Sequence, residues 1–261
     1  MNGVVRWIDF EGAVNVRDVG GMPTADGGKT LPGRLLRSDN LQGLTPRDVT
    51  KLVEGHGLRT VIDLRTTGEV ASEGPGPLTK IGSIRHTHHS MLPEAGAATD
   101  AAAETFAKRR ERILATAPHD VVCAIYLRYL ADRPDSVVNA LRTIAGTDGA
   151  AIVHCAAGKD RTGVVVALAL SVAGVTQDAI VADYAATSQR IAAILARLRS
   201  SPTYATDVDR LPEDAHTPRE HTMTSFLGHL DTEHDGVLGW LDENGFGADD
   251  VNRLRQRLLA S

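Results

Sequence analysis

The fold that this sequence predicts is α/β, a central and mainly parallel sheet flanked by helices. Two short, mostly apolar runs carry the prediction, Thr60-Val61-Ile62-Asp63-Leu64 and Ala150-Ala151-Ile152-Val153-His154. Strands buried on both faces read as such runs, bounded by turns. Helical stretches stand between and after them, and strands that alternate with helices pair in parallel through crossovers. Sites in such sheets gather at the carboxyl ends of the strands.

In chain order, residues 15–38 hold glycine pairs and Pro32-Gly33, which mark turns around short extended pieces. Gly33-Arg34-Leu35-Leu36-Arg37-Ser38 is one such strand. Thr45-Pro46 supplies a cap and a first-turn proline for a helix to about Glu54, closed by Gly55 or Gly57. Residues 68–100 read as loop, with one extended piece near 84–89. Residues 101–117 and 121–131 have helical composition, and Asp135 is the expected cap of a helix to about Ala145. Residues 164–172 form an apolar helix closing at Gly174. One long helix over about 177–199 is marked by Ile180, Tyr184, Ile191, Leu195 and Leu198. A loop and further helices follow Pro202. The chain reads as a single domain over 1–261, with a variable helical or loop insertion at about 77–121.

Composition narrows the function. The 261 residues carry 33 acidic and 28 basic side chains, a formal net charge of -5. No global electrostatic drive toward nucleic acid exists, so any anion site must be local. Two cysteines, Cys123 and Cys155, are too few for a disulfide scaffold and favour a reducing, cytoplasmic setting. Residues 1–18 lack an apolar signal core, and no run approaches the ~20 apolar residues of a bilayer-spanning helix. No membrane insertion is expected.

The chemistry lies in His154-Cys155-Ala156-Ala157-Gly158-Lys159-Asp160-Arg161-Thr162-Gly163, between a buried strand and an apolar helix. Backbone N–H groups in a loop entering a helix N-terminus converge on one point, where the helix dipole adds positive potential. Such a loop, with Ala156, Ala157, Gly158, Lys159 and Thr162, holds a phosphate dianion. Its amides and Arg161 would stabilise a thiolate on Cys155 and make it a nucleophile. Arg161 binds two phosphate oxygens through its planar fork, Gly158 permits the turn, and the Thr162 hydroxyl is placed to stabilise the sulfur as leaving group. A buried core cysteine requires none of these neighbours; that ordinary reading suits Cys123 instead.

This Cys-x5-Arg loop resembles the cysteine-dependent protein tyrosine phosphatase superfamily, and its expanded form resembles the bacterial tyrosine and dual-specificity branch. Asn15-x-Arg17-Asp18-x-Gly20-Gly21, Arg37-Ser38-Asp39-x-Leu41 and Asp63-Leu64-Arg65 are similar to that family in the same order. The resemblance implies a phosphatase-like fold and a cysteinyl-phosphate intermediate. It also implies phosphorylated protein or phosphoinositide substrates, inorganic phosphate as product, and no metal or cofactor. No Trp-Pro-Asp loop is present, so by position in the family Asp160 becomes the first candidate acid. A carboxylate merely pairing with Lys159 or capping the helix is the alternative. Asp63 is the next candidate acid or a supporting partner, beside His154. Lys159 accompanies phosphoinositide activity in that family, or is a solvated lysine. Arg17 and Asp18 are expected to brace the loop from behind.

Other patterns are set aside. A nucleotide-binding loop needs glycine where Val153 stands and Ser or Thr where Asp160 stands. Asp231-x-Glu233-x-Asp235-Gly236 departs from a calcium loop and reads as a capped helix start. His86, His88 and His89 lack a completing ligand, and Lys108-Arg109-Arg110-Glu111-Arg112 reads as a solvated helix face. The rival functions are an arsenate reductase-like enzyme, for which Cys123 is the sole resolving thiol, and an inactive phosphate-binding adaptor.

Overall fold

Six strands form one sheet in the computed structural model, which describes residues 5–94, 120–209 and 212–260. They are β1 (Arg6–Trp7), β2 (Arg17–Asp18), β3 (Leu35–Ser38), β4 (Leu58–Asp63), β5 (Arg85–His88) and β6 (Ala150–His154), in spatial order β1-β2-β3-β6-β4-β5. Pairing is antiparallel from β1 to β3 and parallel from β3 to β5. The register sets Ser38 and Asp63 on either side of His154. Three strands therefore end abreast, and the segments that follow them meet at one edge.

Both faces of the sheet are covered, which explains the unbroken apolar runs. Along β6, Ala151 and Val153 enter a large core and Ala150 and Ile152 a smaller one. The large core is roofed by α3 (Val121–Asp132), α4 (Pro134–Ala145), α5 (Asp160–Val172), α6 (Gln177–Ala186) and three C-terminal helices. The smaller core lies under α1 (Pro46–Thr50), which passes into a wider, π-type turn over Lys51–Gly55.

Several local expectations are corrected. The stretch read as loop from residue 68 contains α2 (Thr67–Glu73), because Thr66 and Glu69 form a reciprocal capping box. The extended piece expected near 84–89 is the edge strand β5, while residues 101–117 and the 108–112 basic run lie outside the described residues. Asp135 is inside the first turn of α4, where it pairs with Arg133, rather than at the cap. Asp235 does not cap a helix with its side chain. It turns the corner between α8 (Glu220–His234) and α9 (Gly236–Glu243) with φ of 55°.

The long helix expected over 177–199 is broken. It consists of α6, a tight turn over Thr187–Arg190, and α7 (Ile191–Ser200). The cause is Arg17, whose Nη2 donates to the Asp183 carbonyl at 2.8 Å and to Thr187 Oγ1 at 2.9 Å. In a continuous helix that carbonyl would accept from the Thr187 amide, which here donates to the Ala185 and Tyr184 carbonyls. A tertiary contact thus decides where the helix stops.

Asp183 is the centre of this arrangement. Its carboxylate accepts from Arg17 Nε at 2.7 Å and from Arg37 Nη1, and all three side chains are buried. Burial pushes the Asp183 carboxyl upward, but the two guanidinium groups outweigh it and hold the group below its usual range. Burial and the neighbouring Arg37 push Arg17 down to about 10. A depressed carboxyl contributes stability that is complete above its unfolded value and is lost as pH falls through the folded one. Removing the anion that both buried cations share should be severe: Asp183→Asn is expected to cost roughly 3–5 kcal/mol in urea unfolding. The loss of stability below about pH 4 should be shallower in the variant than in the parent. A variant as stable as the parent, with the same acid dependence, would remove Asp183 from this role.

Candidate active site

The loop after β6 is shaped from behind. Asn40 N–H donates to the Ala156 carbonyl at 2.9 Å, and Asn15 Nδ2 donates to the carbonyls of Ala157 at 2.9 Å and Gly158 at 3.2 Å. Arg37 Nη2 also donates to Gly158 at 2.8 Å. In a trans peptide the N–H points opposite to the C=O. With three successive carbonyls tied backward, the amides of Ala157, Gly158 and Lys159 face forward. The first turn of α5 adds its dipole at the same place.

Gly158 is the residue that this geometry requires. Its φ is +66°, and a Cβ there would stand 2.3 Å from the Ser38 carbonyl oxygen. Arg17 acts one step removed: Nη1 donates to Asn15 Oδ1 at 2.6 Å, which fixes the amide that holds the loop. Asp18 does not join it. Its carboxylate accepts from the Gly20 and Gly33 amides, each at 2.8 Å, and so stabilises the glycine turns rather than bracing the loop.

Cys155 is 2% exposed and lies in a cavity of about 240 Å³ with Lys159, Asp160 and Arg161. Ile191, Ile194, Leu195 and Leu198 of α7, with Tyr204 and Val208, form its apolar wall. A larger cavity of about 390 Å³ beside Gly20–Pro23 contains no residue of the cysteine loop.

Arg161 is clamped end-on by Glu69, with Nη1 and Nη2 at 2.6 and 2.9 Å from the two carboxylate oxygens. Burial works against its charge, but the Glu69 bonds and the Cys155 sulfur outweigh that and hold it protonated, above its usual range. The clamp uses one edge of the guanidinium; the Nε edge is the second planar fork available to an oxyanion.

Asp160 is held otherwise than by the Lys159 pairing considered for it. Tyr126 Oη donates to Asp160 Oδ1 at 2.6 Å, whereas Lys159 Nζ lies 3.7 Å from Oδ2. Lys159 donates at 2.7 Å to the His216 carbonyl, so its ammonium is anchored to the protein. Thr162 is fully buried, and its hydroxyl takes no protein partner among the described residues, Cys155 sulfur included.

His154 and Asp63 stand behind the cysteine. His154 Nδ1 lies 3.3 Å from the Cys155 carbonyl and Nε2 is 3.6 Å from Asp63 Oδ2, while burial lowers the imidazole below its usual range. Asp63 also accepts from Arg65 through both oxygens, Oδ1 from Nε and Oδ2 from Nη2. Burial pushes the Asp63 carboxyl up, but His154 and Arg65 overcome this and hold it well below the carboxylate range. Such a group is a poor proton donor at neutral pH, which argues against Asp63 as the acid.

Sequence reasoning missed Glu69, Tyr126, Asp183 and the site role of Tyr184. The Thr66-x-x-Glu69 capping box was readable and would have placed Glu69 on a helix at the end of β4. The other three sit in helical stretches with no local mark.

Residues 8–260 match the family model described as the tyrosine phosphatase family. The chain is 28% identical to a triple specificity protein phosphatase, PtpB, of Mycobacterium tuberculosis, over 96% of this chain and 98% of that protein. It is 26% identical to a tyrosine-protein phosphatase of Nostoc commune, over 85% of this chain and 73% of the relative.

The backbone gives a direct test of the cradle. Gly158→Ala is expected to weaken vanadate inhibition at least about tenfold, since φ > 0 and the Ser38 contact both oppose it. An unchanged vanadate constant would mean that the loop does not bind the oxyanion.

Proposed function

This chain belongs to the tyrosine phosphatase family and is a protein tyrosine phosphatase, and on that premise we propose that Cys155 attacks the phosphorus of a bound monoester to give a cysteinyl-phosphate, which water then hydrolyses. The observation that carries this reading is Cys155 and Arg161 opening into one cavity with three loop amides turned inward. As the Sγ–P bond forms and the ester P–O bond breaks, the amides and the Nε edge of Arg161 take up charge on the three equatorial oxygens. Asp160 gives its proton to the departing ester oxygen. In the second step its carboxylate takes a proton from the attacking water, and the Sγ–P bond breaks to release inorganic phosphate and the thiolate. Buried and without a protein partner among the described residues, the Thr162 hydroxyl is available to donate to that sulfur. No cofactor takes part in this scheme.

The apolar wall suits the ring of phosphotyrosine. The PtpB relative is named for triple specificity, and a cavity of this size with Lys159 at its floor is compatible with phosphoserine, phosphothreonine and phosphoinositide head groups as well. Among the described residues no helix is long and apolar enough to cross a membrane. A reducing, cytoplasmic setting suits the free thiol, and the net charge of -5 offers nucleic acid no attraction.

The arsenate reductase-like alternative needs Cys123 as a resolving thiol. That residue is buried on α3, and burial with Asp120 pushes its thiol up to about 11, the opposite of a reactive thiolate. An adaptor role leaves the combination of Cys155, Arg161 and Asp160 unexplained.

Cys155→Ser is expected to lower turnover of p-nitrophenyl phosphate at least about 1,000-fold while vanadate still binds. Robust turnover by that variant would move the nucleophile elsewhere. Asp160→Asn is expected to slow phenyl phosphate by roughly 100-fold or more but p-nitrophenyl phosphate far less, because a nitrophenolate leaves without a proton. Equal losses on both substrates would reject Asp160 as the acid.

A further inference from the structure

We propose that Tyr126, backed by Tyr184, is a positioning residue that decides which oxygen of Asp160 carries the transferable proton; this rests on Asp160 being the acid. Tyr126 Oη lies 2.6 Å from Asp160 Oδ1 and 2.7 Å from Tyr184 Oη. A phenol has one proton to donate. Because the carboxylate can only accept when ionised, the Tyr126 proton is committed to Asp160, and the Tyr184 hydroxyl must donate to Tyr126. The chain of bonds therefore runs one way, from Tyr184 through Tyr126 to Oδ1.

The direction has a chemical consequence. When Asp160 is protonated, a proton on Oδ1 would require the Tyr126 and Tyr184 hydroxyls both to reverse, whereas a proton on Oδ2 leaves the chain of bonds as it stands, so the acid proton is assigned to Oδ2. Asp160 is 31% exposed at its side chain and lines the cysteine cavity, whereas Tyr126 is fully buried. Oδ1 is thus turned to the core and Oδ2 to the cavity, where the ester oxygen departs. As the P–O bond breaks, its electron pair collects on that oxygen, which takes the Oδ2 proton, while Oδ1 keeps its bond to Tyr126.

The phenols are suited to hold this orientation. The Tyr126 ring is fixed by Tyr184 and Phe226, both edge-on with centroids 6.0 Å away, and by Tyr129, stacked at 6.0 Å. Burial first, and the charge of Asp160 second, push the Tyr126 hydroxyl well above its usual range, so it stays a donor at all working pH values. Rigidity matters because a proton donor must meet its acceptor within a few tenths of an ångström.

The test is a double-mutant cycle read on two substrates that differ only in leaving group, phenyl phosphate and p-nitrophenyl phosphate. Tyr126→Phe keeps the ring and deletes the donor. It is expected to lower kcat on phenyl phosphate roughly ten- to thirtyfold, the size of one hydrogen bond to a charged group, with at most about a twofold loss on p-nitrophenyl phosphate. In an Asp160→Asn background the same change should do nothing further on phenyl phosphate. Tyr184→Phe, which leaves Tyr126 in place, should give a smaller loss with the same substrate dependence, and it covers the case in which Tyr126→Phe does not fold. Equal losses on both substrates, or full additivity with Asp160→Asn, would overturn the positioning role. If Asp160→Asn alone shows no leaving-group dependence, the acid assignment fails instead, which separates the two outcomes.

Discussion

A single buried carboxylate between two arginines is the interaction on which the rest of the site depends. Asp183 draws Arg17 and Arg37 into a space closed to water, and each guanidinium then has donors left over. Arg17 spends one on Asn15 and Arg37 spends one on Gly158, so both reach the phosphate loop. Ionic groups in such a place cost several kcal/mol each to desolvate, and their attraction alone does not recover it without extra hydrogen bonds. Those bonds tie the Gly158 carbonyl backward directly and, through Asn15, the Ala157 carbonyl as well.

The same cluster shapes the wall opposite the cysteine. By taking the Asp183 carbonyl, Arg17 ends α6 early, and the chain restarts as α7 in a new direction. α7 then lays Ile191, Ile194, Leu195 and Leu198 along the cavity. Its outer end is held by Arg197, which lies 3.3 Å from Asp39 and donates to the Asn40 carbonyl, next to the amide that fixes Ala156. Loop and wall are therefore built on shared residues, and a change in one is transmitted to the other.

At the front of the site, opposite charges are paired so that each retains a free side. Glu69 takes one edge of Arg161 and leaves a planar fork for oxygens. Tyr126 takes one oxygen of Asp160 and leaves the other to the cavity. Lys159 is tied to the His216 carbonyl, which links the loop to the Glu213–His216 turn. In a cavity walled by aliphatic side chains these fixed groups act in low dielectric, where an oriented donor is worth more than in water.

Much of this was legible in the sequence. The apolar runs at Thr60–Leu64 and Ala150–His154 became the parallel centre of the sheet, and the cysteine loop fell between β6 and α5, because burial on both faces and the strand-to-helix turn are local patterns. Gly158 and the spacing of Cys155 and Arg161 were readable for the same reason: a loop of fixed length can return to its start only with a residue that tolerates φ > 0. The partners were not. Asp183 looked like any polar residue on a helix, Tyr126 and Tyr184 like core aromatics, and Glu69 lay in a stretch read as loop; each meets its partner across 34 to 166 residues of chain. The α/β frame, and the placing of the Cys155–Arg161 loop between a buried strand and an apolar helix, could be read from residue order alone, since they rest on period, turn and adjacency. Which carboxylate lines the cavity, which one clamps the arginine and where the long helix breaks emerged only on folding, because those depend on hydrogen bonds between distant segments that compete with local ones.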